Sequence, residues 1–428
     1  MCSEERMTID EQRKYLRAMK KRYMRANRKT KAQLLDEMEA VTWMHRKSLT
    51  RLMNSSLERK PRRKQRGRRY GADVDYALQI VYESFDYICA ERLTPNLVWM
   101  AKHLDAHGEL RTTPELLEQL AQISISSVQR RLGGMKRDRA RLPRRRPRAN
   151  TLTRDIPMLR LPWNIEQPGH FETDLVHHCG VSASGEYVCT LQMVDVATGW
   201  SERRAVLGRS QRVMEHAFRR ILARLPFPVL EIHPDNGGEF FSHHLLRLWG
   251  EVVQGVKLSR SRPFHKNDNP RVEQKNATLV RAYLGDRRLD SVPQSIALNV
   301  LYDKMWAYYN LFQPVMHLAE KKVIREPGKP VRVRRKHDQP ATPFVRLCET
   351  SAILPEHKAQ LEALRDSINP LRLRQDIYDA IDAIFKLPAA VPGVTENVHL
   401  TLTDGEDRWL NLAFNRTPMR DDHGPSCG

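Results

Sequence analysis

Apolar residues recur at helical spacing through residues 5–57. EERMTIDEQRKYLRAMKKRYMRA is amphipathic and strongly basic, and KAQLLDEMEAVTWMHRKSLTRLMN reads as two short helices broken near Val41 to Trp43. The second string has the layout of a helix-turn-helix. Leu34, Leu35 and Met38 would pack its first helix, and Leu49, Leu52 and Met53 its second, leaving His45, Arg46, Lys47 and Arg51 to face outward toward DNA. An ordinary helical hairpin would show the same periodicity. From Asp73 to about Met135 the pattern is helical again, and TTPELLEQLAQISISSVQRRLGGMK resembles a second helix-turn-helix. Thr113 before Pro114 predicts an N-cap with proline at the first helical position; Ser124 to Ser127 would open the recognition helix, and Gly133 and Gly134 would end it. Gln129, Arg130 and Arg131 are its candidate DNA-facing residues.

Beyond residue 160 the period shortens. HFETDLVHHCG, GEYVCTLQMVDVATG and WSERRAVLG are apolar or alternating runs closed by glycine or a turn, and predict three consecutive antiparallel strands. A helix (SQRVMEHAFRRILARL), a strand (PVLEIHPD), a helix (FFSHHLLRLWGEV), a short strand (VKLSR) and a long helix beginning near Asp268 follow. Three strands and then alternating helices and strands is the element order of a ribonuclease-H-like α/β layer with a mixed five-stranded sheet. After about Asn310 a proline-rich basic stretch precedes two helices in LPEHKAQLEALRDSINPLRLRQDIYDAIDAIFKL.

Charge adds a partner to this outline. The formal net charge is +21, and a polyanion explains such an excess through release of counterions from phosphates. Two basic runs stand between the predicted units. RKPRRKQRGRR at 59–69, with Arg62, Arg63, Arg66, Arg68 and Arg69, is too self-repelling to pack and suits a phosphate backbone; KRDRARLPRRRPR at 136–148 holds Arg144, Arg145 and Arg146 between Pro143 and Pro147. The six cysteines lack zinc-finger spacing and predict free thiols. No stretch approaches the roughly 20 apolar residues that cross a bilayer, and the basic N-terminus has no apolar signal segment, so a cytoplasmic location without membrane partners is expected.

Three carboxylates have distinctive settings: Asp174 within the first strand, Asp235 at the end of the fourth, and Glu273 one turn into the last helix. Sixty residues separate the first two and 37 the second pair. A carboxylate inside an apolar strand is costly to bury unless paired or bound to a cation. Strand ends and a helix start can converge in a layered fold, giving hard oxygen ligands suited to two Mg²⁺ or Mn²⁺ ions and to in-line displacement at phosphorus. Among competing groups, Asp195 reads as turn chemistry, Asp268 as a helix cap, and Glu172, on the same strand face as Asp174, as a supporting group. His170, His177 and His178 flank the first strand, but adjacent histidines point to opposite faces, which argues against a shared metal.

The strings HFETDLV, IHPDNGGEF and SRSRPFHKNDNPRVEQKNATLVR resemble the integrase-core transposases of bacterial insertion sequences, akin to retroviral integrases, over about residues 160–315. That resemblance implies a DDE active site of Asp174, Asp235 and Glu273, with Asn236 and Gly237 shaping the turn that aims Asp235. Lys266 and Lys275 would contact phosphates of the transposon end. It implies a DNA transposase binding terminal inverted repeats and target DNA, at least dimeric on DNA, in a bacterial cytoplasm. The His-His-Cys-Cys module of retroviral integrases has no counterpart. The expected organisation is a helix-turn-helix domain at 1–58, a basic linker at 59–72, a second helix-turn-helix-like domain at 73–135, a basic linker at 136–159, the catalytic core at 160–315 and a mainly helical C-terminal region at 316–428 that opens with a basic linker. A DNA-binding regulator or a structure-specific nuclease on the same fold are the alternatives.

Overall fold

The computed structural model describes residues 7–57, 69–135, 137–139, 165–234, 256–259, 269–324, 332–402 and 414. They fall into two compact units, residues 1–69 and 70–428.

The first unit is three helices, α1 (Ile9–Arg25), α2 (Arg28–Thr42) and α3 (Arg46–Met53). Thr8 and Glu11 form a reciprocal capping box at the start of α1, and Asn27 caps α2 by accepting the Thr30 N–H at 2.9 Å. Leu16, Met19 and Tyr23 of α1 close over Leu34, Leu35, Met38, Leu49 and Met53, the apolar positions that the sequence assigns to a packed helix pair. The α2–α3 turn is made by Trp43 in the left-handed region (φ 58°).

The second unit is built on a five-stranded mixed sheet of order β3-β2-β1-β4-β5, with β1 His170–His177, β2 Val188–Asp195, β3 Ser201–Leu207, β4 Glu231–Pro234 and β5 Lys257–Leu258. β1 to β3 are antiparallel neighbours, whereas β4 runs parallel to β1 and β5 parallel to β4. The three-strand meander and the mixed sheet are therefore as the sequence predicts. α9 (Gln211–Arg224), capped by Ser210, buries Val213, Met214, Ala217, Phe218, Ile221 and Leu222. Gly169 must be glycine: at φ 114° a Cβ would stand 2.7 Å from the Pro228 carbonyl oxygen.

Residues 73–135, read from the sequence as a unit of their own, share this core. α4 (Ala72–Ser84), α5 (Ala90–Leu93), α6 (Leu97–Ala106), α7 (Pro114–Gln122) and α8 (Ile125–Leu132) contribute Val74, Leu78, Val81, Leu97, Met100 and Leu120 to the apolar cluster that also holds the sheet. Asp86 fastens them further. Its carboxylate accepts from the Tyr283 hydroxyl at 2.5 Å, the Tyr378 hydroxyl at 2.9 Å and Arg374 Nε at 3.1 Å, and Arg374 also pairs with Asp138 at 2.7 Å. Thr113 and Ser124 cap α7 and α8 as their sequence positions predict.

The C-terminal stretch from residue 316 differs from the basic linker expected there. It opens with an antiparallel hairpin, β6 (Leu318–Ile324) and β7 (Arg332–His337), before α13 (Pro343–Cys348), α14 (Pro355–Ser367) and α15 (Pro370–Ile384). The long helices before it are α10 (Pro270–Lys275), which continues through a π-helical stretch Asn276–Arg281 into α11 (Ala282–Leu284), and α12 (Val292–Ala307).

Candidate active site

β1 carries two carboxylates on one face, and both hold α10. Glu172 is fully buried and accepts the N–H groups of Arg271 at 2.7 Å and Val272 at 2.9 Å, with Arg271 Nη1 at 3.2 Å. It thus neutralises the positive, donor-rich first turn of the helix. Burial pushes its carboxyl pKa up, and Arg271 with the two N–H donors opposes that push. Two residues on, the half-buried Asp174 accepts the Leu175 N–H at 2.8 Å on one oxygen and Asn276 Nδ2 at 2.6 Å on the other. α10 is therefore tied to the strand through residues 271–272 and again at 276. Glu273 lies between the ties, exposed, in the first turn of α10 with its N–H donating to the Asn269 carbonyl.

β4 supplies the third approach. Its register against β1 pairs Glu172 with His233 and Thr173 with Pro234, the last residue of the strand. Asp235 follows directly in the chain and lies outside the described residues, as do Asn236, Gly237, Lys266 and Asp268; Asn269 occupies the N-cap position of α10. Among the described residues no group of three His, Cys, Asp or Glu side chains is placed to hold a metal ion. The donor chemistry at Asp174 and Glu273 nonetheless fits a hard divalent cation, because both offer carboxylate oxygens and one is open to solvent.

Lys275, expected at the phosphates, is half-buried. Burial, together with the charges of Arg203 and Arg92, lowers its ammonium pKa to about 7. A cross-strand row runs from Asp174 through Gln192 to Arg203. Arg203 is fully buried over the rings of Tyr302 (5.8 Å) and Tyr309 (5.6 Å), and its three guanidinium nitrogens, like both amide atoms of Gln192, have no hydrogen-bond partner among the described residues.

The remaining acids and histidines are structural. Asp195 accepts the Gly169 N–H at 2.8 Å and the Thr198 N–H and hydroxyl at 2.8 and 2.7 Å, which is turn chemistry. His170 meets Glu231 at 3.1 Å, His177 meets the Tyr187 hydroxyl at 3.2 Å, and His178 meets Thr190 at 2.8 Å.

Of the candidate DNA contacts, Lys47, Arg51, Arg69, Gln129 and Arg130 are exposed. Arg46 and Arg131 are partly exposed and paired within the protein. Arg46 ion-pairs with Asp36 and donates to the Ala32 carbonyl, while Arg131 ion-pairs with Asp75 and lies over the Tyr70 ring. Each pairs with an acid of a neighbouring helix. Arg62, Arg63, Arg66, Arg68, Arg144, Arg145 and Arg146 fall outside the described residues.

No family model matches the chain. A protein of Sinorhizobium fredii (strain NBRC 101917 / NGR234), "Uncharacterized protein y4rM", is 33% identical over 343 residues, covering 80% of this chain and 96% of the relative. The chain belongs to the y4rM family. Among solved structures, the catalytic core domain of BIV integrase matches 28% of this chain and 68% of its own at 18% identity, with a TM-score of 0.22, too loose a superposition to bear on function. What a y4rM-family chain does is thus written in its own side chains. Asn276 is the one that sequence pattern alone passed over. Its place three residues after Glu273 puts both on one helical face, and that spacing was the available signal.

Proposed function

We propose that this chain is a DDE-type DNA transposase on a ribonuclease-H-like sheet, which cleaves transposon ends and joins them to target DNA. The observation that carries the reading is the double fastening of α10 to β1, by Glu172 at its start and Asp174 through Asn276, which sets Glu273 beside the strand carrying Asp174. The parallel pairing of β1 with β4 supports the third member, since β4 ends one residue before Asp235. The order β3-β2-β1-β4-β5 supports the fold assignment.

Asp174, Asp235 and Glu273 would hold Mg²⁺ or Mn²⁺, two ions in all. Bound there, the ions supply charge stabilisation to an in-line displacement at phosphorus. The chain's own contribution is orientation. Asn276 donates to one oxygen of Asp174, and the Leu175 N–H donates to the other, so the carboxylate keeps a fixed direction. Glu172 holds α10 in place by accepting the N–H groups of Arg271 and Val272. The exposed Lys47, Arg51, Gln129 and Arg130 of α3 and α8 supply DNA contacts, and processing two ends requires at least two protomers.

Labelled transposon-end duplexes and a plasmid target in Mg²⁺ test the reading, with cleavage and joining scored separately. Asp174→Asn, Asp235→Asn and Glu273→Gln should each abolish both reactions and leave end binding nearly intact. Normal cutting by any of them sinks the assignment of that residue. Cutting without joining by the unaltered protein points to a structure-specific nuclease instead.

A further inference from the structure

The β6–β7 hairpin carries charge in a pattern that folding does not explain. Of its thirteen strand residues six are Lys or Arg, and one, Glu320, is acidic. The register sets Lys322 opposite Arg334 and Lys321 opposite Arg335, and like charges directly opposite one another destabilise a strand pair. Glu320, opposite Lys336, bonds Lys322 at 2.8 Å, and this single acid stands against six Lys and Arg, with Arg334, Arg335 and Lys336 exposed. Ile324 and Val333 are exposed as well.

The base of the hairpin is, by contrast, firmly held. The His317 N–H donates to Asp338 Oδ1 at 2.7 Å, and the Asp338 N–H to the His317 carbonyl at 3.0 Å. Arg346 clamps the same junction, donating to Asp338 at 2.7 Å and to the carbonyls of Val315 and Gln339 at 3.0 and 2.9 Å. This base stands close enough to α10 for Arg271 and Lys275 to act electrostatically on His317. An arm fixed at its root beside the helix of Glu273, and self-repelling along its length, is stabilised by a polyanion laid against it. A two-stranded ribbon matches the width of the DNA major groove.

We propose that the β6–β7 hairpin is a second DNA-binding arm, which grips duplex DNA through its phosphates next to the candidate active site. The proposal rests on the transposase reading for the identity of the polyanion. It assigns to Lys322, Arg334, Arg335 and Lys336 a sequence-independent role, since phosphate contacts position a duplex without reading it.

Fluorescence anisotropy of the full chain on a labelled duplex of arbitrary sequence, across a salt series, decides it. The variant combining Lys322→Gln, Arg334→Gln, Arg335→Gln and Lys336→Gln should flatten the slope of log affinity against log salt by about 2 to 4, at roughly 0.9 per lost phosphate contact, and weaken binding at least about tenfold near 0.1 M salt. A charge-matched variant altering Arg209, Arg212, Lys358 and Lys386 should leave the slope unchanged. Unaltered thermal unfolding of both variants checks that folding is intact. An unchanged slope in the hairpin variant, or equal losses in both, overturns the arm while leaving the triad standing if Asp174→Asn still abolishes cleavage. Failure of the unaltered protein to bind duplex DNA overturns both proposals together.

Discussion

Arg203 offers the sharpest test of how the interior of this protein is balanced. Its guanidinium is buried with three nitrogens unbonded among the described residues, so desolvation, reinforced by Arg224, lowers its pKa well below the usual arginine range, to about 10. A shift of that size corresponds to roughly 3 kcal/mol of discrimination against the charged form. The faces of Tyr302 and Tyr309 return part of this, about 0.5 to 2 kcal/mol for a desolvated cation over an aromatic ring. Arg203→Met keeps most of the volume and removes the charge, and apolar replacement of buried charge is often stabilising by about 1 to 4 kcal/mol. The net expectation is a gain of about 2 kcal/mol, read as a higher urea midpoint at neutral pH with an unchanged denaturant slope. The ammonium of Lys275, which Arg203 helps to depress, should titrate higher in the variant. A midpoint that falls by the equivalent of 2 kcal/mol or more would refute the reasoning, because it would mean that Arg203 is paired with an anion in solution.

Two further outcomes follow from the same physics. His178 and His317 are held neutral, chiefly by burial, with pKa values pushed down to about 3 and about 4. The unfolded chain takes up protons near pH 6.5 that the folded one refuses, so stability is full above that pH and declines as pH falls toward 4 and then 3. A urea midpoint that stays constant from pH 7 to pH 4.5 would contradict this. Asn276→Ala removes the donor to Asp174, a charge-assisted bond worth about 1.5 to 3 kcal/mol, and should slow end cleavage by roughly ten- to a hundredfold while leaving end binding unchanged; full activity would show that Asn276 does not position the carboxylate.

Much of the site could be read from spacing because its parts are local. The β1–β3 meander, α9, β4 and the start of α10 follow from period, caps and prolines, and Asp174 and Glu273 stand on two of these elements, β1 and α10. Asp195 was legible for the same reason, since an Asx turn is settled within four residues. What escaped depends on long-range partners. The pairing of Arg46 with Asp36 and of Arg131 with Asp75 joins neighbouring helices, which a helical wheel of one helix does not show. Lys275 has a basic residue's sequence setting, yet it is half-buried and feels the charge of Arg203, far from it in the chain. The β6–β7 hairpin was hidden because its alternation is basic rather than apolar, so the hydrophobic period that marks a half-buried strand is missing.

The helices of residues 72–132 and the β1–β4 sheet are built around one apolar core, and Asp86 ties the helices to Arg374 of α15 and to Tyr283. Gln129 and Arg130 on α8 and Asp174 on β1 therefore belong to a single solid piece. A protein so made measures DNA as a ruler does. If the proposed transposase reading holds, the distance from base pairs contacted by α8 to the phosphate attacked at Asp174 would be set by packed side chains, and not by a tether that can stretch. Cut positions should accordingly keep a constant offset from the recognised sequence, and inserting base pairs between the two should move the cut with the binding site.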